Sequence, residues 1–136
     1  MQVNEATLKQ ELVLAFKKSL PGAVVFRHED KFRAGIPDIS VTWNRMTTWL
    51  EVKYITSRLI QRRIQHVTVC DLAEAGSCFY VHYVNKPPSW ETVVIEPRTG
   101  YRWLTTTFRD HHFVVRFIRD HHDQKSVRCG TRQEDN

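Results

Sequence analysis

The stretch GIPDISVTWNRMTTWLEVKY, Gly35 to Tyr54, decides how the rest of this chain is read. Ile39, Val41 and Trp43 alternate with Ser40 and Thr42, the period of a strand with one face in a core, and the strand is expected to begin at Asp38. Asn44-Arg45-Met46 reads as a turn. From Thr48 to Tyr54 the alternation resumes, with Leu50, Val52 and Tyr54 facing one way and Trp49, Glu51 and Lys53 the other. If the two strands pair as a hairpin, Asp38 and Glu51 can converge at one position of the sheet, with Lys53 on the Glu51 face.

Outward from this hairpin the chain alternates between helix and strand. Asn4 can cap a helix whose apolar stripe is Leu8, Leu12, Ala15, Phe16 and Leu20, stopped by Pro21-Gly22. Ala23 to Arg27 reads as a strand, followed by a polar loop. Beyond Tyr54, Thr56 or Ser57 could cap a helix running to about Ala75, with Ile60, Ile64, Val67 and Leu72 inward and Gly76 as its stop. SCFYVHYV, Ser77 to Val84, is apolar enough for a strand buried on both faces. ETVVIEP, from Glu91, reads as an added edge strand and RTGY, from Arg98, as a turn. Thr107 and Asp110 resemble a capping box, introducing a helix with Val114, Phe117 and Ile118 inward. The expectation is one domain over residues 1–122, with a frayed polar tail over 123–136.

At 136 residues the chain suits one compact domain. Its net charge of +5 and pI near 9.3 favour polyanionic partners, nucleic acid or an acidic membrane. No apolar run approaches the roughly 20 residues that span a bilayer, and the N-terminus lacks a signal peptide's basic flank and apolar centre, so no membrane role and a cytoplasmic location are expected. Cys70, Cys78 and Cys129 are odd in number and unpaired in pattern, which points to reduced thiols rather than a disulfide framework or a zinc site.

Asp38 and Glu51, joined by the backbone carbonyl of Val52, form a set of hard oxygen donors that suits Mg²⁺. A metal there would polarise a phosphodiester and acidify a bound water, while Lys53 could orient or deprotonate that water or hold a phosphate oxygen. Acidic and basic residues alternating on a strand are more often a solvated face with a weak ion pair. The preceding Pro37-Asp38, the apolar strands carrying both halves and the basic chain weigh on the side of chemistry.

GIPDIS followed by WLEVKY, with a glutamate-bearing helix ahead and a glutamine-bearing helix behind, resembles the PD-(D/E)xK nuclease superfamily. The form Gly-x-Pro-Asp, Glu-x-Lys, then Gln65 ahead of Gly76 is similar to its VRR-Nuc branch, with archaeal-type Holliday junction resolvases close in pattern. The resemblance spans roughly Asn4 to Val84. It implies a restriction-endonuclease-like α/β core: a helix, a three-stranded antiparallel meander, a helix and a strand, in a mixed sheet flanked by helices, here with a C-terminal helical appendage. It also implies Asp38 and Glu51 as metal ligands, Lys53 as the base or water-orienting group, Gln65 near the substrate, and Mg²⁺ as cofactor with Mn²⁺ as substitute. For the helix-one acid Glu5 fits best, with Glu11 as competitor. Lys9 stands where the family often has glutamine.

Arg27, His28, Lys31 and Arg33 before Gly35, and Arg58, Arg62 and Arg63 at the second helix, could neutralise phosphates. Basic residues at such places are equally often just solvated. His111, His112, His121 and His122 form adjacent pairs that point about 100° apart on a helix and lack the i, i+4 spacing of a zinc site. The four tryptophans are read as core before base-stacking platforms. The functional expectation is a Mg²⁺-dependent endonuclease acting on branched DNA such as a Holliday junction, working as a two-fold homodimer. The rival is a catalytically silent nucleic-acid-binding module of the same fold. A protein docking through its last helix is a third class, supported by nothing before residue 107.

Overall fold

Asn4 accepts the amide of Thr7 at 2.8 Å and starts helix α1, Glu5–Ser19. Leu8, Leu12, Val13 and Phe16 of α1 are buried, and Gly22, at φ +85°, lets the chain reverse into the sheet. A computed structural model describes residues 3–29, 36–56 and 63–134, and the side chains of these outside 63–67 and 125–134. After α1 come β1 (Val24–Arg27), β2 (Ile39–Trp43) and β3 (Met46–Ile55), then α2 (Arg63–Ala75), β4 (Cys78–Lys86), β5 (Ser89–Ile95), β6 (Arg102–Thr105) and α3 (His111–Glu134).

The protein is α/β, with one mixed six-stranded sheet in the order β1-β2-β3-β4-β5-β6 and three helices. β1, β2 and β3 form an antiparallel meander, α2 crosses over to β4, and β4 lies parallel to β3. A parallel neighbour cannot be reached by a tight turn, which is why a helix intervenes. β5 and β6 then add antiparallel to β4. The β2–β3 hairpin closes on Asn44 and Arg45, both in the left-handed region at φ 55° and 65°, as a two-residue loop matching the strands' twist requires.

Alternation assigns each strand residue to one of two faces. Ile39, Val41, Leu50, Val52, Phe79, Val81, Tyr83 and Val94 pack in one core with Leu8, Leu12 and Phe16 of α1 and Val114, Val115 and Ile118 of α3. On the other face Val69 of α2 packs with Cys78 and Tyr80, joined by Trp49 and Leu72. Ile55, Val84 and Val93 form a further small cluster. Among the described residues, no helix is long and apolar enough to cross a membrane.

Three details differ from the reading of the sequence. β5 lies inside the sheet, because RWLT, residues 102–105, adds the edge strand β6 beside it. The turn before β6 was legible: the Glu96 carboxylate accepts the amides of Arg98 and Thr99. α3 starts at His111, capped by Asp110, whose Oδ1 accepts the Phe113 amide at 3.0 Å, while Thr107 offers only its carbonyl, to Thr92 Oγ1. α3 continues to Glu134 instead of fraying after His122, since extending a formed helix is cheap and no proline interrupts residues 123–134.

Candidate active site

The last pair between β2 and β3 is Ile39 with Leu50, yet β3 runs on to Ile55. Its edge from Glu51 onward has therefore lost its β2 partner, and amides there need other acceptors. Two carboxylates supply them. Asp38, where the chain turns into β2, accepts the Val52 amide through Oδ2 at 2.9 Å. Glu5, in the first turn of α1, accepts the Tyr54 amide through Oε1 at 3.2 Å. Since a strand residue's N–H and C=O point to the same side, the Val52 carbonyl faces the Asp38 side of this fork.

Asp38 thus meets the peptide that joins Glu51 to Val52. Glu51 is fully buried on the α2 face, and Asp38 is nearly so. Lys53, two residues along the same face, places Nζ 3.9 Å from Glu51 Oε2. The Glu51 charge is felt locally: burial first, then Glu51, pushes the Cys78 thiol up to about 12. Cys78 is accordingly a thiol at neutral pH, with no nucleophilic character.

Lys9, one turn after Glu5, closes the group. Its Nζ lies 3.0 Å from Asp38 Oδ1 and 3.4 Å from Glu5 Oε2. Beside it a cavity of about 310 Å³ is lined by Lys9, Arg27, His28, Glu29 and Asp38. Arg27 pairs with Glu29 at 3.1 Å, and His28 Nε2 bonds Ser40 Oγ at 2.9 Å with its ring 5.0 Å from that of Trp49. Arg27 and His28, two of the four residues expected to meet the substrate before Gly35, thus line the cavity that Asp38 also lines.

Glu5 and Glu11 separate cleanly. Glu11 lies away from the fork, held by the Arg109 guanidinium through both carboxylate oxygens and by His111 Nε2 at 3.0 Å. The Arg109 hydrogen bond chiefly, with help from His111, holds the Glu11 carboxyl below the usual range. His111 Nδ1 in turn bonds the buried Tyr83 hydroxyl at 2.8 Å. This is a seam between α1, α3 and β4.

Of the other residues expected at the site, Lys31, Arg33, Arg58 and Arg62 lie outside the described residues, and the side chains of Arg63 and Gln65 do too. His121 and His122 are tied into the hairpin and β4: His122 Nδ1 donates to the Trp43 carbonyl at 2.8 Å, His122 Nε2 meets Thr48 Oγ1, and His121 Nε2 meets Ser77 Oγ. They are packing residues, and among the described residues no cluster of three or more metal-ligating side chains occurs.

His82 was not singled out from the sequence. It is the β4 partner of Lys53, on the same face, and its Nε2 is buried with no hydrogen-bond partner among the described residues. Burial, then the charges of Arg102 and Lys53, lowers its pKa to about 4. The only sequence signal for it would have been the parallel register, which adjacent letters do not carry. Lys9 had a local signal, its i, i+4 spacing from Glu5.

Asp38, Glu51 and the Val52 carbonyl offer oxygen donors, the kind a hard divalent cation takes. The Lys9 ammonium lies on the other side of Asp38, between it and Glu5. Neither a family model nor a curated protein matches the chain.

Proposed function

We propose that the chain is a Mg²⁺-dependent endodeoxyribonuclease of the PD-(D/E)xK type, related to the VRR-Nuc branch and the Holliday junction resolvases, with a restriction-endonuclease-like core. One observation carries this reading: Asp38, which lines a cavity, bonds the amide that follows Glu51, and Lys53 stands on the Glu51 face of the same strand. A strand edge of this kind serves stability alone without three ionisable groups, because burying charge is costly.

In this reading Asp38, Glu51 and the Val52 carbonyl hold the cation. Mg²⁺, or Mn²⁺ in its place, supplies positive charge for the phosphodiester oxygens and acidifies a water when bound. Lys53 would orient an attacking water toward phosphorus and donate to a phosphate oxygen, so that charge developing there would meet a fixed ammonium. Asp38 is itself positioned by the Val52 amide, and Glu5 keeps the neighbouring stretch of β3 closed by holding the Tyr54 amide. Arg27 and His28 at the cavity rim contact the backbone of the nucleic acid, giving affinity that falls with salt and carries no sequence information. In this reading recognition is of DNA shape, a branched junction above all, and cutting both arms of a symmetric junction calls for a homodimer.

The second reading, a silent nucleic-acid-binding module, is favoured by Lys9, whose ammonium pairs with both Asp38 and Glu5. Incubation with four-way junction, flap, single-stranded and linear duplex DNA, with Mg²⁺ or EDTA, separates the two. The nuclease reading expects metal-dependent cleavage, preferentially of the junction, and a loss of about 100-fold or more in Lys53→Ala. Binding without cleavage on every substrate, or equal cleavage by the variant, selects the silent module.

A further inference from the structure

Each carboxylate on the open side of the fork meets both a β3 amide and the Lys9 ammonium. Asp38 takes the Val52 amide on one oxygen and the Lys9 ammonium on the other; Glu5 takes the Tyr54 amide on one and the same ammonium on the other. Lys9 is only 16% exposed in its side chain, so it is wedged between the two rather than resting on the surface. Burial opposes its charge, but the ion pairs with Asp38 and then Glu5 outweigh that and hold the ammonium above the ordinary lysine range.

We propose that Lys9 is a permanent internal cation of this pair: it withholds Glu5 from metal coordination, so that a divalent ion is held from Asp38 and Glu51 without Glu5. The proposal rests on the nuclease reading above and deepens it, because it assigns Glu5 a positioning role and makes Lys9 the residue that sets metal affinity. The physical reason is repulsion. A monovalent and a divalent cation a few ångströms apart repel by about 2 kcal/mol even in water, and more where solvent is thinned. An ion arriving at Asp38 must therefore either settle on the Glu51 side or expel Lys9. Two oxygen contacts and a mostly covered side chain favour the first.

Titration calorimetry with Mn²⁺ alone, on the full chain without DNA, tests this. The set is wild type, Glu5→Gln, Lys9→Gln, the double variant and Asp38→Asn. Glu5→Gln is expected to bind Mn²⁺ within about twofold of wild type, and Lys9→Gln about tenfold more tightly. Adding Glu5→Gln to Lys9→Gln is expected to reverse the gain, because only without Lys9 is Glu5 free to become a ligand. Melting temperatures give an independent readout, with Mn²⁺ raising that of Lys9→Gln further than that of wild type. If Lys9→Gln does not fold, Lys9→Met replaces it in the same cycle. Weakened Mn²⁺ binding by Glu5→Gln in the presence of Lys9, or unchanged affinity on removing Lys9, overturns the proposal. If Asp38→Asn alone loses Mn²⁺ while the Lys9 variants match wild type, this inference fails and the nuclease reading stands. If Asp38→Asn binds as wild type does, or no protein binds, both fall.

Discussion

Helix α1 carries two glutamates less than two turns apart, and they do opposite work. Glu5 points to the β3 edge and joins a group of ionisable side chains beside an open cavity. Glu11 points to α3 and ends in a closed series: the Arg109 guanidinium, His111, then the buried Tyr83 hydroxyl. The seam is self-contained. Its hydrogen bonds run from one side chain to the next, and it fastens the first helix to the last across about 100 residues. The fork instead gathers carboxylates and ammonium groups where the sheet splits and solvent can enter. The ion pairs proposed here as functional differ from those of the seam in lying at a broken strand edge with a cavity beside them.

The sharpest way to break this contrast is to neutralise one acid on each side. Asp38→Asn keeps an oxygen for the Val52 amide, so the fold should survive while junction cleavage with Mg²⁺ falls by about 100-fold or more, measured under single turnover. Glu11→Gln should leave the cleavage rate unchanged and lower stability by about 1 kcal/mol at pH 7 in urea unfolding, a modest figure because the pair is partly solvated. The sign in pH follows from its lowered pKa. The Glu11 contribution is present above the unfolded carboxyl range and disappears as the pH falls through the folded value, so wild type and variant should converge in acid. Equal loss of cleavage in both variants would erase the distinction between the regions.

The next effect belongs to the fork's own face. His82, neutral in the fold with a pKa of about 4 against 6.5 for a free imidazole, disfavours protonation in the native state. Its contribution is fully present above pH 6.5 and is lost as the pH falls toward 4, by at most about 3 kcal/mol. Urea unfolding across that window should show the decline, and His82→Phe should flatten it. A slope that persists undiminished in the variant would show that other groups carry it.

The smallest effect compares two arginines with left-handed backbones. Arg45, at φ 65°, is exposed in the hairpin loop; Arg109, at φ 63°, holds Glu11. Glycine relieves the backbone at either place, by about 1 kcal/mol. Arg45→Gly should therefore raise the melting temperature, whereas Arg109→Gly should not, because the ion pair goes with the side chain. A gain in both would mean that the Arg109–Glu11 contact contributes nothing.

Much of the core was legible because it follows from local periodicity. The cap at Asn4, the stripe on α1, the β2–β3 alternation and the doubly buried β4 all rest on spacings of two or of three to four residues, which the chain displays directly. The common face of Glu51 and Lys53 is read in the same way. Other features escaped. RWLT is too short to announce β6, and β5 looked like an edge only because β6 was missing. Asp110 displaced Thr107 as the cap of α3 because Arg109 turns left-handed just before it, a backbone choice tied to Glu11 on another helix.

By itself the sequence determined the helix–meander–helix–strand order and the residues that could do chemistry, since strand and helix periods place side chains relative to their immediate neighbours. Only the tertiary structure sent Glu5 to the β3 edge and Glu11 to α3, brought Lys9 between two carboxylates, and set His82 beside Lys53. Those relations depend on where β2 leaves β3 and how α1 crosses the gap. Such distances between remote segments are set by packing of the whole core, and no local pattern encodes them.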